Sequence, residues 1–122
     1  PMRIDGEDYL DGGLRSPVPV REAHTMGADI VIAVDVSSAP ETEAGSKLAV
    51  MRAAIGIMTK GLRDGELGPA DVIITPDLSG IGATDFDDRM RAVLAGERAA
   101  QAALPQIRQK LAAAGVSLGD GM

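Results

Sequence analysis

The sequence predicts an α/β fold with mostly parallel strands and a long alanine-rich helical region towards its C-terminal end. Residues 30–36 and 71–75 are almost continuously apolar and rich in β-branched side chains, as expected for strands covered on both faces. Between them, apolar side chains recur at helical spacing over residues 46–62. A strand, a helix and a second strand in this order predict a parallel pair with a right-handed crossover. The length of 122 residues is typical of one domain, so residues 1–122 are predicted to form a single domain.

The first elements lead into a glycine-rich turn. Residues 3–10 alternate weakly and contain Asp5-Gly6, which predicts a short strand or a hairpin arm with its turn at this dipeptide. A helix is predicted over residues 19–26, because proline lies in its first turn and Gly27 follows its last residue.

The middle of the chain is predicted to be a loop, a helix and a connection. Residues 37–45 are polar and contain proline and glycine, which predicts a loop. The helix of residues 46–62 has a broad apolar face, and we expect this face to pack on the sheet, with a border to lipid chains as the alternative. Residues 61–69 are glycine-rich and are predicted to connect this helix to the next strand.

The C-terminal third is predicted to be mainly helical. After an irregular stretch over residues 77–85, Asp85 is expected to cap a helix that continues through an alanine-rich segment. Pro105 is predicted to break this helix or to open a new first turn, and Gly115 to end the helical region. Residues 116–122 are expected to form a frayed tail.

The turn at Asp11-Gly12-Gly13 is the segment that most clearly suggests chemistry. The two glycines lack a Cβ and let a ligand or another backbone come close, while Pro17 and Pro19 fix φ and remove two amide donors. A carboxylate on such a constrained loop can orient or deprotonate a partner group. On spacing alone, however, the simpler interpretation is a turn aspartate that bonds to its own backbone.

A set of short motifs is similar to those of a known family. The set consists of Asp11-Gly12-Gly13-Leu14, Pro17-Val18-Pro19-Val20, Gly27-Ala28-Asp29, residues 31–36, residues 70–77 and Thr84-Asp85-Phe86, so it covers most of residues 8–112. It resembles the bacterial branch of the patatin-like phospholipases. The resemblance implies the C-terminal portion of a three-layer α/β/α fold and a serine–aspartate dyad that hydrolyses phospholipid or other lipid esters. Asp11 would be the catalytic proton acceptor, with Gly12 and Gly13 as its structural support.

The nucleophile that this resemblance implies is a serine in a G-x-S-x-G turn. Ser46 and Ser79 are the two serines that directly adjoin a glycine, and neither has glycines two residues before and two residues after it. We therefore expect the serine to lie outside this chain, in an N-terminal half that was removed, never encoded, or present as a separate chain. We also expect the chain to bind that half or to self-associate, because its sheet would otherwise be incomplete.

Composition excludes several other classes of function. The net charge of −6 makes nucleic acid an improbable partner, and the absence of cysteine excludes disulfides and thiolate chemistry. No cluster of residues has the spacing of metal ligands, and no cofactor is expected. The longest apolar run, Ile30 to Val34, is far shorter than a membrane span of about 20 residues. We expect a cytoplasmic location, with peripheral contact at the inner membrane face left open.

Two further residues have competing interpretations, and so does the whole chain. Asp35 follows a predicted parallel strand, where ligands of open α/β sheets bind, but a carboxylate that caps nearby amides is the simpler interpretation. His24 has no serine or cysteine at a recognisable spacing and is expected to be a core or surface histidine. The alternative to a hydrolase is a non-catalytic α/β module that binds or interacts.

Overall fold

The structure, a computed structural model, describes residues 1–37, 46–82 and 86–116. Its elements confirm a mixed α/β chain. In chain order these are β1 (Met2–Ile4), β2 (Glu7–Tyr9), a 3-10 helix (Gly12–Leu14), α1 (Val20–Thr25), β3 (Ile32–Val34), α2 (Lys47–Leu67), β4 (Val72–Ile74) and α3 (Arg89–Ala113). Most of the predicted loop at 37–45, the residue Asp85 and most of the predicted tail at 116–122 lie outside the described residues. The prediction that Asp85 caps the last helix is wrong, since α3 begins at Arg89 and Asp88 is its N-cap residue.

The N-terminal hairpin forms as predicted. β1 and β2 pair antiparallel with Ile4 opposite Glu7, so only Asp5 and Gly6 remain for the turn. Both residues have positive φ, 50° and 86° respectively, which is the backbone of the two-residue turns that match strand twist. Every residue of the two strands is exposed, so the hairpin adds no core.

Helix α1 also forms where it is predicted, and the backbone conformation at its C-terminal end explains why Gly27 follows it. Gly27 has φ 99°, its amide donates to the His24 carbonyl at 2.9 Å, and the Ala28 amide donates to the Ala23 carbonyl at 3.1 Å. This pair of bonds is the Schellman arrangement, which needs a left-handed residue after the helix. Val20, on the inner side of α1, is fully buried.

β3 and β4 form the predicted parallel pair, although each strand has only three residues. Val72 and Ile74 are buried, and they point to the same face because residues alternate along a strand. β4 lies against α3. Ala33 is buried on the opposite face, while its partner Ile73 is 43% exposed. Each face of this small sheet is therefore only half covered by the described residues.

Helix α2 is longer than predicted, and a different face of it is directed towards the rest of the protein. It runs to Leu67, so the predicted connection at 61–69 is wrong: Gly61 and Gly65 lie inside the helix, where each costs about 1 kcal/mol relative to alanine. The prediction that its apolar face packs on the sheet is also wrong, since no residue of α2 is buried. The half-buried residues of α2 are mostly small or polar instead, namely Ala49, Ala53, Gly56, Thr59, Arg63 and Glu66, with Leu67 as the apolar exception at the end of the helix.

Helix α3 continues through Pro105, so the predicted break or new first turn there is wrong. A proline inside a helix costs about 3 kcal/mol because it removes one amide donor and crowds the preceding turn. The alanine-rich flanks favour the helix on both sides of it. The helix ends as predicted, with Gly115 at φ 75°. None of the helices in the described ranges combines the length and the apolar character that a membrane crossing requires.

Candidate functional site

Asp11 caps the 3-10 helix that follows it. Its Oδ1 accepts a hydrogen bond from the Gly13 amide at 2.9 Å, and its carbonyl accepts one from the Leu14 amide at 3.2 Å. A Cβ on residue 13 would lie 3.2 Å from Asp11 Oδ1, so glycine makes room for the carboxylate there. A Cβ on residue 12 would meet nothing within 4 Å, so space alone does not require glycine at that position.

The Asp11 carboxylate is held by one oxygen and open at the other. The residue is exposed, and among the described residues no donor is within hydrogen-bond distance of Oδ2. A carboxylate fixed in this way can accept a proton or a hydrogen bond from a group that approaches through solvent. The simpler interpretation, a turn aspartate that bonds to the nearby backbone, is also consistent with the structure, because Asp11 accepts the Gly13 amide.

The loop after Asp11 is anchored by Glu66, a residue that the sequence did not suggest. Ser16 Oγ donates to Glu66 Oε1 at 2.6 Å, and the Val18 amide donates to Oε2 at 3.1 Å. Glu22 Oε2 lies farther from the same hydroxyl, at 3.4 Å, so Glu66 is its main acceptor. Glu66 was missed because residues 61–69 were predicted to be a connection, and no local pattern relates it to a loop about 50 positions earlier.

Asp35 is buried at the carboxyl end of β3. Its amide donates to the Ile74 carbonyl at 2.9 Å, and its Oδ1 accepts from the amide of Ser37 at 3.1 Å and from the Ser37 hydroxyl. Arg63 on α2 approaches Oδ2 with its Nε at 3.5 Å and also donates to the Ser37 hydroxyl. The carboxylate therefore caps a nearby amide, as the simpler interpretation predicts, and in addition ties α2 to the end of the strand.

A second polar cluster follows β4. Asp77 Oδ1 accepts from the Ser79 amide at 3.1 Å and from its hydroxyl at 2.6 Å, and these two bonds, the hydroxyl first, lower the pKa of the Asp77 carboxyl. These residues line a groove of about 470 Å³ together with Arg91 and Arg98 of α3. Arg91 is paired with Asp88 at 2.6 Å, so part of its charge is already satisfied.

His24 has a structural position. Its Nδ1 lies 2.9 Å from the Ala28 carbonyl oxygen and its Nε2 lies 3.4 Å from the Pro69 carbonyl oxygen. The ring thus links the end of α1 to the segment that enters β4, which agrees with the expectation of a non-catalytic histidine. Within residues 1–37, 46–82 and 86–116, no group of three or more His, Cys, Asp or Glu side chains is arranged to hold a metal ion.

Ser46 and Ser79 alone are an incomplete set of candidates, because a serine that does not directly adjoin a glycine also has the spacing of the nucleophile pattern. Ser117 lies in Gly115-Val116-Ser117-Leu118-Gly119, which matches G-x-S-x-G letter by letter. A nucleophile elbow follows a strand, but this pattern begins where helix α3 ends, and Gly115 forms the turn that closes the helix. Ser117 itself lies outside the described residues. The letters therefore match without the strand that an elbow requires, and a nucleophile from outside the chain remains the prediction.

No protein-family model matches the chain.

Proposed function

We propose that this chain is the acid-bearing part of a serine acyl hydrolase similar to the patatin-like phospholipases, with Asp11 as the proton acceptor and lipid esters as the substrate class. The observation that carries the proposal is the state of the Asp11 carboxylate: Oδ1 is fixed by the Gly13 amide while Oδ2 faces solvent. A general base needs this combination of fixed orientation and an accessible lone pair.

The reaction follows from the two roles of such a dyad. Asp11 removes the proton of the serine hydroxyl as the serine oxygen attacks the ester carbonyl, and the bond to the leaving alcohol breaks as the alcohol takes that proton. An acyl-enzyme remains. Asp11 then deprotonates a water molecule, which attacks the acyl carbonyl and releases the fatty acid, while the proton returns to the serine.

The test is Asp11→Asn in the intact protein that carries this segment. Asparagine keeps the turn acceptor but cannot accept the proton, so kcat for a short-chain p-nitrophenyl ester should fall roughly 10²- to 10⁴-fold with an unchanged melting temperature. Asp77→Asn is the matched control, because Asp77 also caps the amide two residues later and should leave kcat unchanged. Residues 1–122 alone should give no turnover above buffer.

Three outcomes would contradict the proposal. Full activity of Asp11→Asn would make Asp11 a turn residue and favour the non-catalytic module. A collapse of the melting temperature with normal activity per folded molecule would have the same meaning. Turnover by residues 1–122 alone, abolished by Ser117→Ala, would place the nucleophile within the chain.

A further inference from the structure

We propose that Glu66 is a positioning residue for Asp11: it holds the turn that presents the carboxylate by binding the two residues that follow that turn. This inference rests on the proposed function only for its consequence in catalysis. The positioning itself is a property of the described geometry.

The first step of the argument is the chain of bonds between the two carboxylates. Asp11 Oδ1 is bonded to the Gly13 amide, and the Arg15 and Ser16 amides both donate to the Gly12 carbonyl, at 3.0 and 2.9 Å. Ser16 in turn donates its hydroxyl to Glu66 at 2.6 Å. Asp11 and Glu66 are therefore connected through one short turn.

The second step is that Glu66 binds the loop with both carboxylate oxygens. Oε1 takes the Ser16 hydroxyl and Oε2 takes the Val18 amide, so the two bonds fix a position and an orientation of the loop together. Hydrogen bonds to a charged acceptor are stronger than bonds between neutral groups. The 3-10 helix itself contains no buried residue that could hold the turn in their place.

The third step is that Glu66 stands on a fixed support. Arg63, one turn earlier on α2, is paired with the buried Asp35 at the end of β3. The last turns of α2 thus link the sheet to the Asp11 loop. A carboxylate on an unanchored helix could not position a loop, whereas Glu66 stands on a helix that is tied to the end of β3.

The test compares backbone order in variants of residues 1–122 by ¹⁵N relaxation. Glu66→Ala should lower the order parameter of the Gly13 amide from about 0.85 to below about 0.6, while Ala33 in β3 stays near 0.85. Glu66→Gln keeps one acceptor oxygen and should give an intermediate value at Gly13. Glu97→Gln is the matched control, since it removes one negative charge from an exposed position on α3 and should change neither amide.

The outcomes separate this inference from the proposed function. A fall of order at both Gly13 and Ala33 would make Glu66 a general stability residue and overturn the inference, and so would an unchanged Gly13. If Glu66→Ala does not fold, Ser16→Ala removes only the hydroxyl donor and should still lower the order at Gly13. Loss of order at Gly13 together with full activity of Asp11→Asn would keep the positioning and reject the hydrolase.

Discussion

At the scale of single residues, Asp71 anchors the parallel sheet by hydrogen bonding, as Glu66 anchors the Asp11 loop. Its Oδ2 accepts the Val31 amide at 3.0 Å, immediately before β3, and Lys110 of α3 lies 3.4 Å from Oδ1. The Val31 amide lowers the pKa of the Asp71 carboxyl from its ordinary value of 3.8; desolvation opposes this effect, and Lys110 adds to the lowering. One carboxylate thus joins the start of both parallel strands to the end of the last helix.

The lowered pKa gives a prediction about acid stability. Because the folded protein holds the proton of Asp71 less tightly than the unfolded chain, this residue stabilises the fold above about pH 3.8, and the stabilisation is lost as the pH falls through the lower folded-state value. We expect Asp71→Asn to have a lower free energy of unfolding than the wild type at neutral pH, and we expect this difference to shrink in acid. Urea unfolding between pH 7 and 2.5 measures the difference, and a difference that is constant with pH would contradict the prediction.

The residues that sequence could predict are those with a local signature. Asp5-Gly6, Gly27 and Asp11 stand in short patterns whose geometry depends on their immediate neighbours, and the structure confirms the turn, the helix end and the self-capping bond. Glu66 and Asp71 act on partners 40 to 50 positions away, at Ser16 and Val31. No local sequence pattern indicates these pairs, because the partners lie far apart in the sequence and meet only in the folded chain.

At the scale of elements, glycine has two opposite roles in this chain. Gly27 has φ 99° and closes α1, whereas Gly61 lies inside α2 with helical geometry. A Cβ would meet nothing within 4 Å at either position, so the difference between the two sites is one of backbone conformation alone. This is why glycine-rich composition at 61–69 suggested a connection where the chain forms a helix.

Alanine substitution at these two glycines should therefore have opposite effects. Gly27→Ala forces an L-residue into the left-handed region and should reduce the free energy of unfolding by about 1–2 kcal/mol. Gly61→Ala should raise it by about 0.5–1 kcal/mol, because it removes conformational freedom from the unfolded chain without strain. Urea unfolding at one fixed protein concentration tests both. A gain from Gly27→Ala, or a loss from Gly61→Ala, would contradict the assigned backbone conformations.

Element type was predicted better than element length or orientation. The order of hairpin, helix, strand, helix, strand and helix is confirmed, because periodicity and punctuation by glycine and proline are local properties. α2 and α3 run through Gly61 and Pro105 because flanking helix formers and tertiary anchors outweigh a single unfavourable residue. The side of α2 that faces inward was predicted wrongly, since it depends on Arg63 and Glu66 and not on the apolar stripe.

At the scale of the whole molecule, the described residues enclose very little core. Only five apolar side chains are buried within them, those of Val20, Ala33, Val72, Ile74 and Pro76, while both long helices have no buried residue. The apolar stripe of α2 faces outward along about 21 Å of helix, with side chains that are 44–69% exposed. The stripe consists of Leu48, Met51, Ile55, Met58 and Leu62.

A stripe of this kind should make the isolated chain associate with itself. Burial of one such side chain contributes about 1.5–3 kcal/mol, and the half-buried face of the same helix is held inward by Arg63 and Glu66, so the helix cannot turn its apolar side away from water. We expect light scattering to show a mass that rises with concentration. The variant with both Met51→Glu and Met58→Glu should lower the association constant at least about tenfold, since it places two carboxylates in the contact.

The control is a second double variant, Met26→Glu with Met90→Glu, which changes the charge equally at exposed positions off the stripe and should leave association unchanged. A monomer at all concentrations would show that the outward stripe is tolerated in water, and equal effects of the two double variants would assign the association to net charge.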